Sequence, residues 1–131
     1  MNDKLNNLIK DGFKQFNLGL IDKSKLLFEE ALKLQGDNFD ALQALGVING
    51  QQNNHLASSN YFLKAIKLKP DDFAVNKNLA NSLLELGKFE ESIFYLNISL
   101  EINSKQSSLW RSKGIALKGL KKYQDAEIHL L

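Results

Sequence analysis

A period of 34 residues limits what this chain can fold into. Gly12, Gly46, Ala80 and Gly114 recur at that interval, and other columns keep the same register. One holds Phe28, Phe62, Leu96 and Leu130; a second holds Ser24, Ser58, Ser92 and Ala126; a third holds Ile21, His55, Phe89 and Tyr123. Ala31, Ala65 and Ser99 form a fifth column that has run out of chain in the last copy. Side-chain size is held in register without insertion or deletion. Such a chain reads as one supersecondary unit repeated, each copy burying its apolar face against the next.

The pattern inside a copy is helical. Ala41, Leu42, Leu45 and Ile48 recur at three- and four-residue spacing on one helix face. Gly50-Gln51-Gln52-Asn53-Asn54 follows, poor in helix formers and rich in turn formers. A second amphipathic run through Leu56, Tyr61, Phe62, Ala65, Ile66 and Leu68 ends at Pro70-Asp71-Asp72, which stops that helix and caps the next. In the third copy, Leu79, Leu83 and Leu86 lead to a turn at Gly87, and a second helix spans Phe89 to Ile102 with Glu90 and Glu91 in its first turn. The predicted copies are 5–38, 39–72, 73–106 and 107–131, the last truncated within its second helix, after a tail of residues 1–4. Together, 5–131 form one repeat domain of an all-α protein. Small residues in one column let helix backbones approach, and large residues in another fill the space between helices.

Composition excludes several classes of function. With 17 basic and 15 acidic side chains, the net charge of +2 is too even for a dedicated nucleic-acid or anionic-membrane binder. There is no cysteine, hence no disulfide framework, thiolate nucleophile or thiolate metal site. No apolar run is long enough to span a bilayer, and the polar start Met1-Asn2-Asp3-Lys4 does not read as a secretory signal, so the expected location is the cytoplasm. His55 falls in an aromatic packing slot, and His129 has Glu127 two residues away, pointing elsewhere on a helix. No metal set, phosphate loop or catalytic constellation emerges, so neither an enzyme nor a cofactor is expected within this chain.

The unit resembles the tetratricopeptide repeat, whose pattern places Trp, Leu, Gly and Tyr in the first helix and Ala, Phe, Ala and Pro in the second. The second copy offers Leu42, Leu45, Gly46, Asn49, Ser58, Phe62, Ala65 and Pro70; the fourth offers Trp110, Lys113, Gly114, Leu117, Ala126 and Leu130. Asp11 and Lys113 stand where the pattern has Leu, and Gly36 and Ser104 where it has Pro. The resemblance implies an α-solenoid of antiparallel helix pairs forming a right-handed superhelix, with a concave groove lined by first helices. It also implies a protein–protein interaction scaffold that binds a peptide or partner protein.

Carried over by position, the groove falls on Ile9, Phe13 and Phe16, then Gln43 and Val47, then Lys77, Asn78 and Asn81, then Arg111 and Lys118. The aromatic end is apolar and the far end basic, which favours an extended peptide with an acidic group toward its C-terminal half. The family's carboxylate clamp is incomplete: Lys77 and Asn81 match its first part, but Ser112 stands where Asn is wanted. Two alternatives compete with the scaffold. The chain could be the N-terminal recognition arm of a larger enzyme such as a glycosyltransferase, or a self-assembling structural repeat protein. Ile128, Leu130 and Leu131 close the sequence on apolar residues and are expected to form a homo-oligomer contact.

Overall fold

The computed structural model describes residues 2–130, with side chains described over 3–126. Among them are seven α-helices: α1 (Asn2–Asn17), α2 (Ile21–Leu34), α3 (Phe39–Gln51), α4 (His55–Leu68), α5 (Phe73–Glu85), α6 (Phe89–Ile102) and α7 (Ser107–Leu130). They group into two compact units, α1–α4 and α5–α7, divided between Leu68 and Lys69. In the first, each helix packs on the next in sequence; in the second, α6 packs on both α5 and α7, and α5 also touches α7.

The helix boundaries have local causes. Asn38 accepts a hydrogen bond from the Ala41 backbone N–H at 2.9 Å and Asp72 from Val75 at 3.0 Å, so α3 and α5 each begin at a side-chain cap. The first helices of three copies end in one way. Gly19, Asn53 and Gly87 adopt left-handed φ of 79°, 63° and 75°. The next N–H in each case bonds back across the last turn: Leu20 to the Gln15 carbonyl, Asn54 to Asn49 and Lys88 to Leu83, at 2.8–2.9 Å. This is the closing motif that glycine, and less readily asparagine, allows.

Within each pair a small residue meets a ring. A Cβ added to Gly12 would lie 2.8 Å from the Phe28 ring, and one added to Gly46 would lie 2.5 Å from the Phe62 ring. Where the first helix carries Ala80 instead, the column's large residue is Leu96, and both are fully buried. A hydroxyl clasps the same junction: Ser24, Ser58 and Ser92 donate to the carbonyls of Gly12, Gly46 and Ala80 at 2.7–2.8 Å. Serine in a helix interior is here a cross-helix tie, using the second lone pair of a carbonyl.

The fourth copy departs from the expected helix–turn–helix. α7 runs unbroken from Ser107 to Leu130. The residue in register with Gly19, Asn53 and Gly87 is Lys121, for which the left-handed conformation costs about 1–2 kcal/mol. Gly119 lies inside the helix, and a Cβ there would meet the Phe89 ring at 2.5 Å. The serine of the clasp is replaced by Ala126.

Two outcomes test this packing. Gly46→Ala should lose about 1–3 kcal/mol in urea unfolding by forcing Cβ into the Phe62 ring, and adding Phe62→Leu should recover most of it by copying the Ala80–Leu96 pair. Tyr61, packed on the core of the first unit, has its hydroxyl pKa raised above 10.0, by burial first and then by the charge of Glu29. The neutral phenol is thus favoured in the folded state. Its contribution is complete below the unfolded value and lost as pH rises through the raised folded value. Tyr61→Phe should therefore flatten the fall in urea midpoint between about pH 9 and about pH 11.

Candidate functional site

In the first unit, the surface between α1 and α3 holds a cleft of about 270 Å³ whose lining includes Phe13, Phe16, Asp40, Gln43, Ala44 and Val47. Its position follows from the core beneath. Gly12 lets the Phe28 ring rest on the α1 backbone, and Phe13 then meets that ring edge-on, with centroids 4.9 Å apart and planes at 72°. Phe28 is fully buried, while Phe13 stays 41% exposed as the wall of the cleft. Phe16 also packs on the core and closes the floor. Across from them, Gln43 and Val47 stand one turn apart on α3, opposite its buried Ala41, Leu45 and Ile48. The cleft has room for one apolar side chain, with Asp40, Gln43 and Asn17 as its polar rim.

Ile9 does not join this cleft. It packs against the core with Leu5 and Leu8, because the buried stripe of α1 passes through all three at helical spacing. Asn17 and Ala44 are additions to the residues drawn from sequence. Ala44 lies one turn before Val47, so helical spacing alone could have placed it on this face.

In the second unit, Lys77, Asn78 and Asn81 are half-buried on α5, and Arg111 and Lys118 are exposed on α7. The two helices are joined here by a hydrogen bond of 3.3 Å from the Ser112 hydroxyl to Asn81 Oδ1. Asn81 thus spends its acceptor on α7 and keeps its amide N–H groups available. Neither Lys77 nor Arg111 has a hydrogen-bond or ionic partner among the described residues. Arg111, Ile115 and Lys118 share one stripe of α7, alongside this polar pair. The face suits a carboxylate, held by guanidinium or ammonium and by the asparagine amide. Ile128, Leu130 and Leu131, expected as an oligomer contact, lie outside the residues whose side chains are described.

No three His, Cys, Asp or Glu side chains come together in a way that could hold a metal ion among the described residues. None of the described helices is long and apolar enough to cross a membrane. His55 opens α4, half-buried.

Two family models, both of the tetratricopeptide repeat, match residues 39–72 and 61–94. A sequence search of curated proteins finds no match. Among solved structures, a MamA mutant is similar at TM-score 0.85 and 21% identity, over 96% of this chain and 73% of that one. The first tetratricopeptide domain of Spaghetti (RPAP3), bound to an HSP90 peptide, is similar at TM-score 0.83 and 14% identity, over 92% of this chain and 96% of that one. An O-GlcNAc transferase mutant of Thermobaculum terrenum is similar at TM-score 0.75 and 23% identity, over 88% of this chain but 22% of that one. At these identities the likeness is one of fold: an all-α helical-repeat solenoid.

Proposed function

Belonging to the tetratricopeptide repeat family, this chain is, we propose, a cytoplasmic protein–protein interaction scaffold that takes a peptide segment of its partner on its first-helix faces. The observation that carries the reading is the cleft between α1 and α3, where Phe13 remains exposed above a closed core and one apolar side chain has room. A solvent-facing aromatic wall of this kind is a common anchor point in recognition. The second contact is polar. Lys77, Asn81 and Arg111 on α5 and α7 match an acidic group. The Spaghetti domain, alike in fold, is bound to a peptide in its solved form, which makes a peptide the natural ligand class to test first.

A second reading has its own support: the likeness to an O-GlcNAc transferase covers 22% of that enzyme, so a domain of this fold can be one part of a larger protein. The intact mass of the native gene product separates the two. A mass near 14.8 kDa supports a free-standing adaptor, and a much larger one supports a recognition arm.

Binding is measured with two sets of fluorescent peptides, one bearing a large apolar side chain and the other an acidic group. Val47→Asp should weaken the peptides bearing the apolar residue, and Arg111→Glu the acidic ones, each by about tenfold or more, near 1.4 kcal/mol. The acidic contact should also weaken with salt. Binding of no peptide in either set, or affinities in both variants equal to those of the parent chain, counts against the reading.

A further inference from the structure

The face of α7 that corresponds to the filled faces of α1, α3 and α5 is bare. In the first two copies the small residue of the first helix is covered by a phenylalanine ring. In the third, Ala80 and Leu96 are both fully buried. Gly114 holds the same register position, and a Cβ built there meets nothing within 4 Å. Its neighbours on that stripe, Trp110 and Leu117, are 51% and 50% exposed, whereas their counterparts Leu42, Asn49, Asn76 and Leu83 are buried. The cause is the unbroken α7: with Lys121 in the closing position, the helix runs on instead of turning a second helix onto this face.

We propose that this α7 face is a docking site for an amphipathic helix of a partner protein, running antiparallel to α7 and carrying a serine and, four residues later, a phenylalanine. The same chain supplies the template. α2 places Ser24 and Phe28 on Gly12, and α4 places Ser58 and Phe62 on Gly46, with the hydroxyl on the glycine carbonyl and the ring over the missing Cβ. In the copies that close, phenylalanine meets glycine and leucine meets alanine, so the incoming side chain that fits Gly114 is phenylalanine; Leu130, in register with it, belongs to the same continuous helix. The flanks add charge. Lys113 lies in the stripe with its ammonium 5.6 Å from the Trp110 ring centroid, and Lys121 follows one turn beyond Leu117, so acidic residues beside the phenylalanine are favoured. Trp110 is fixed in place by its indole N–H, which donates to the Ser104 carbonyl at 2.8 Å. Beside it lies a cleft of about 380 Å³ lined by Leu100, Trp110 and Lys113, with space for an end of the incoming helix.

The chain carries its own reporter, because Trp110 is the single tryptophan and stands on the proposed face. The probe is a capped peptide of the α2 sequence, residues 21–34, which holds Ser24, Phe28 and the acidic pair Glu29 and Glu30. Titrated into the full chain, it should shift Trp110 emission to the blue and saturate. A weak dissociation constant of roughly 10–1,000 µM is expected, since so short a helix must order as it binds. Phe28→Leu in the peptide should weaken binding by about tenfold. Gly114→Leu in the protein should abolish it while leaving helical content unchanged, because the added side chain meets open space in the free chain. Three results overturn the proposal: no saturable shift, equal binding by the Gly114→Leu protein, or a Trp110 emission already blue-shifted in the free chain and unmoved by peptide. The last result means that the chain's own segment or a second copy fills the face.

Discussion

Everything in this fold depends on how closely two helix backbones can approach within a pair. Gly12 and Gly46 present bare backbone to Phe28 and Phe62, and the serine four residues before each phenylalanine ties the same glycine's carbonyl from the facing helix. Size is complementary rather than fixed, since Ala80 is matched by Leu96. A close-packed interior tolerates such a trade only when both partners change together. Because the contact is local, each copy carries its own closing device, and a copy that lacks part of it need not close.

The fourth copy illustrates this. It keeps the glycine at position 114 but has lysine at 121 and alanine at 126, so the left-handed closure and the hydroxyl clasp are both missing. A continuous α7 satisfies its backbone within one helix, which a lysine favours over a left-handed turn. The consequence reaches function. Copies that close conceal the face of their first helix that carries Gly12, Gly46 or Ala80 and present a different one, where Phe13, Val47 and Asn81 are found. The copy that stays open presents both.

Much of the fold is legible in the sequence because packing repeats with the period. Pro70-Asp71-Asp72 marks a cap that Asp72 makes, and Gly87 marks a turn that its φ of 75° requires. What the sequence conceals is context. Nothing in the repeat pattern marks Gly119 as the place where the Phe89 ring packs on the α7 backbone. The serine column looks like a requirement for small size, although its hydroxyls are what tie the helices together. Ile9 holds the repeat position that gives Gln43, Lys77 and Arg111 elsewhere, yet an isoleucine beside Leu5 and Leu8 extends the buried stripe instead of lining a groove. Position in the repeat thus points to the candidate face, and the chemistry of each residue decides whether it stays there.

The most direct test of closure copy by copy is NMR of the full chain, reading backbone Cα and Cβ secondary shifts along the first-helix ends. The account predicts left-handed values at Gly19, Asn53 and Gly87 and unbroken helical values from Ser107 through Ala126, Lys121 included. Turn-like shifts around Lys121, with a new helix starting near Tyr123, would contradict it: the fourth copy would then close like the others, and the α7 face would be covered.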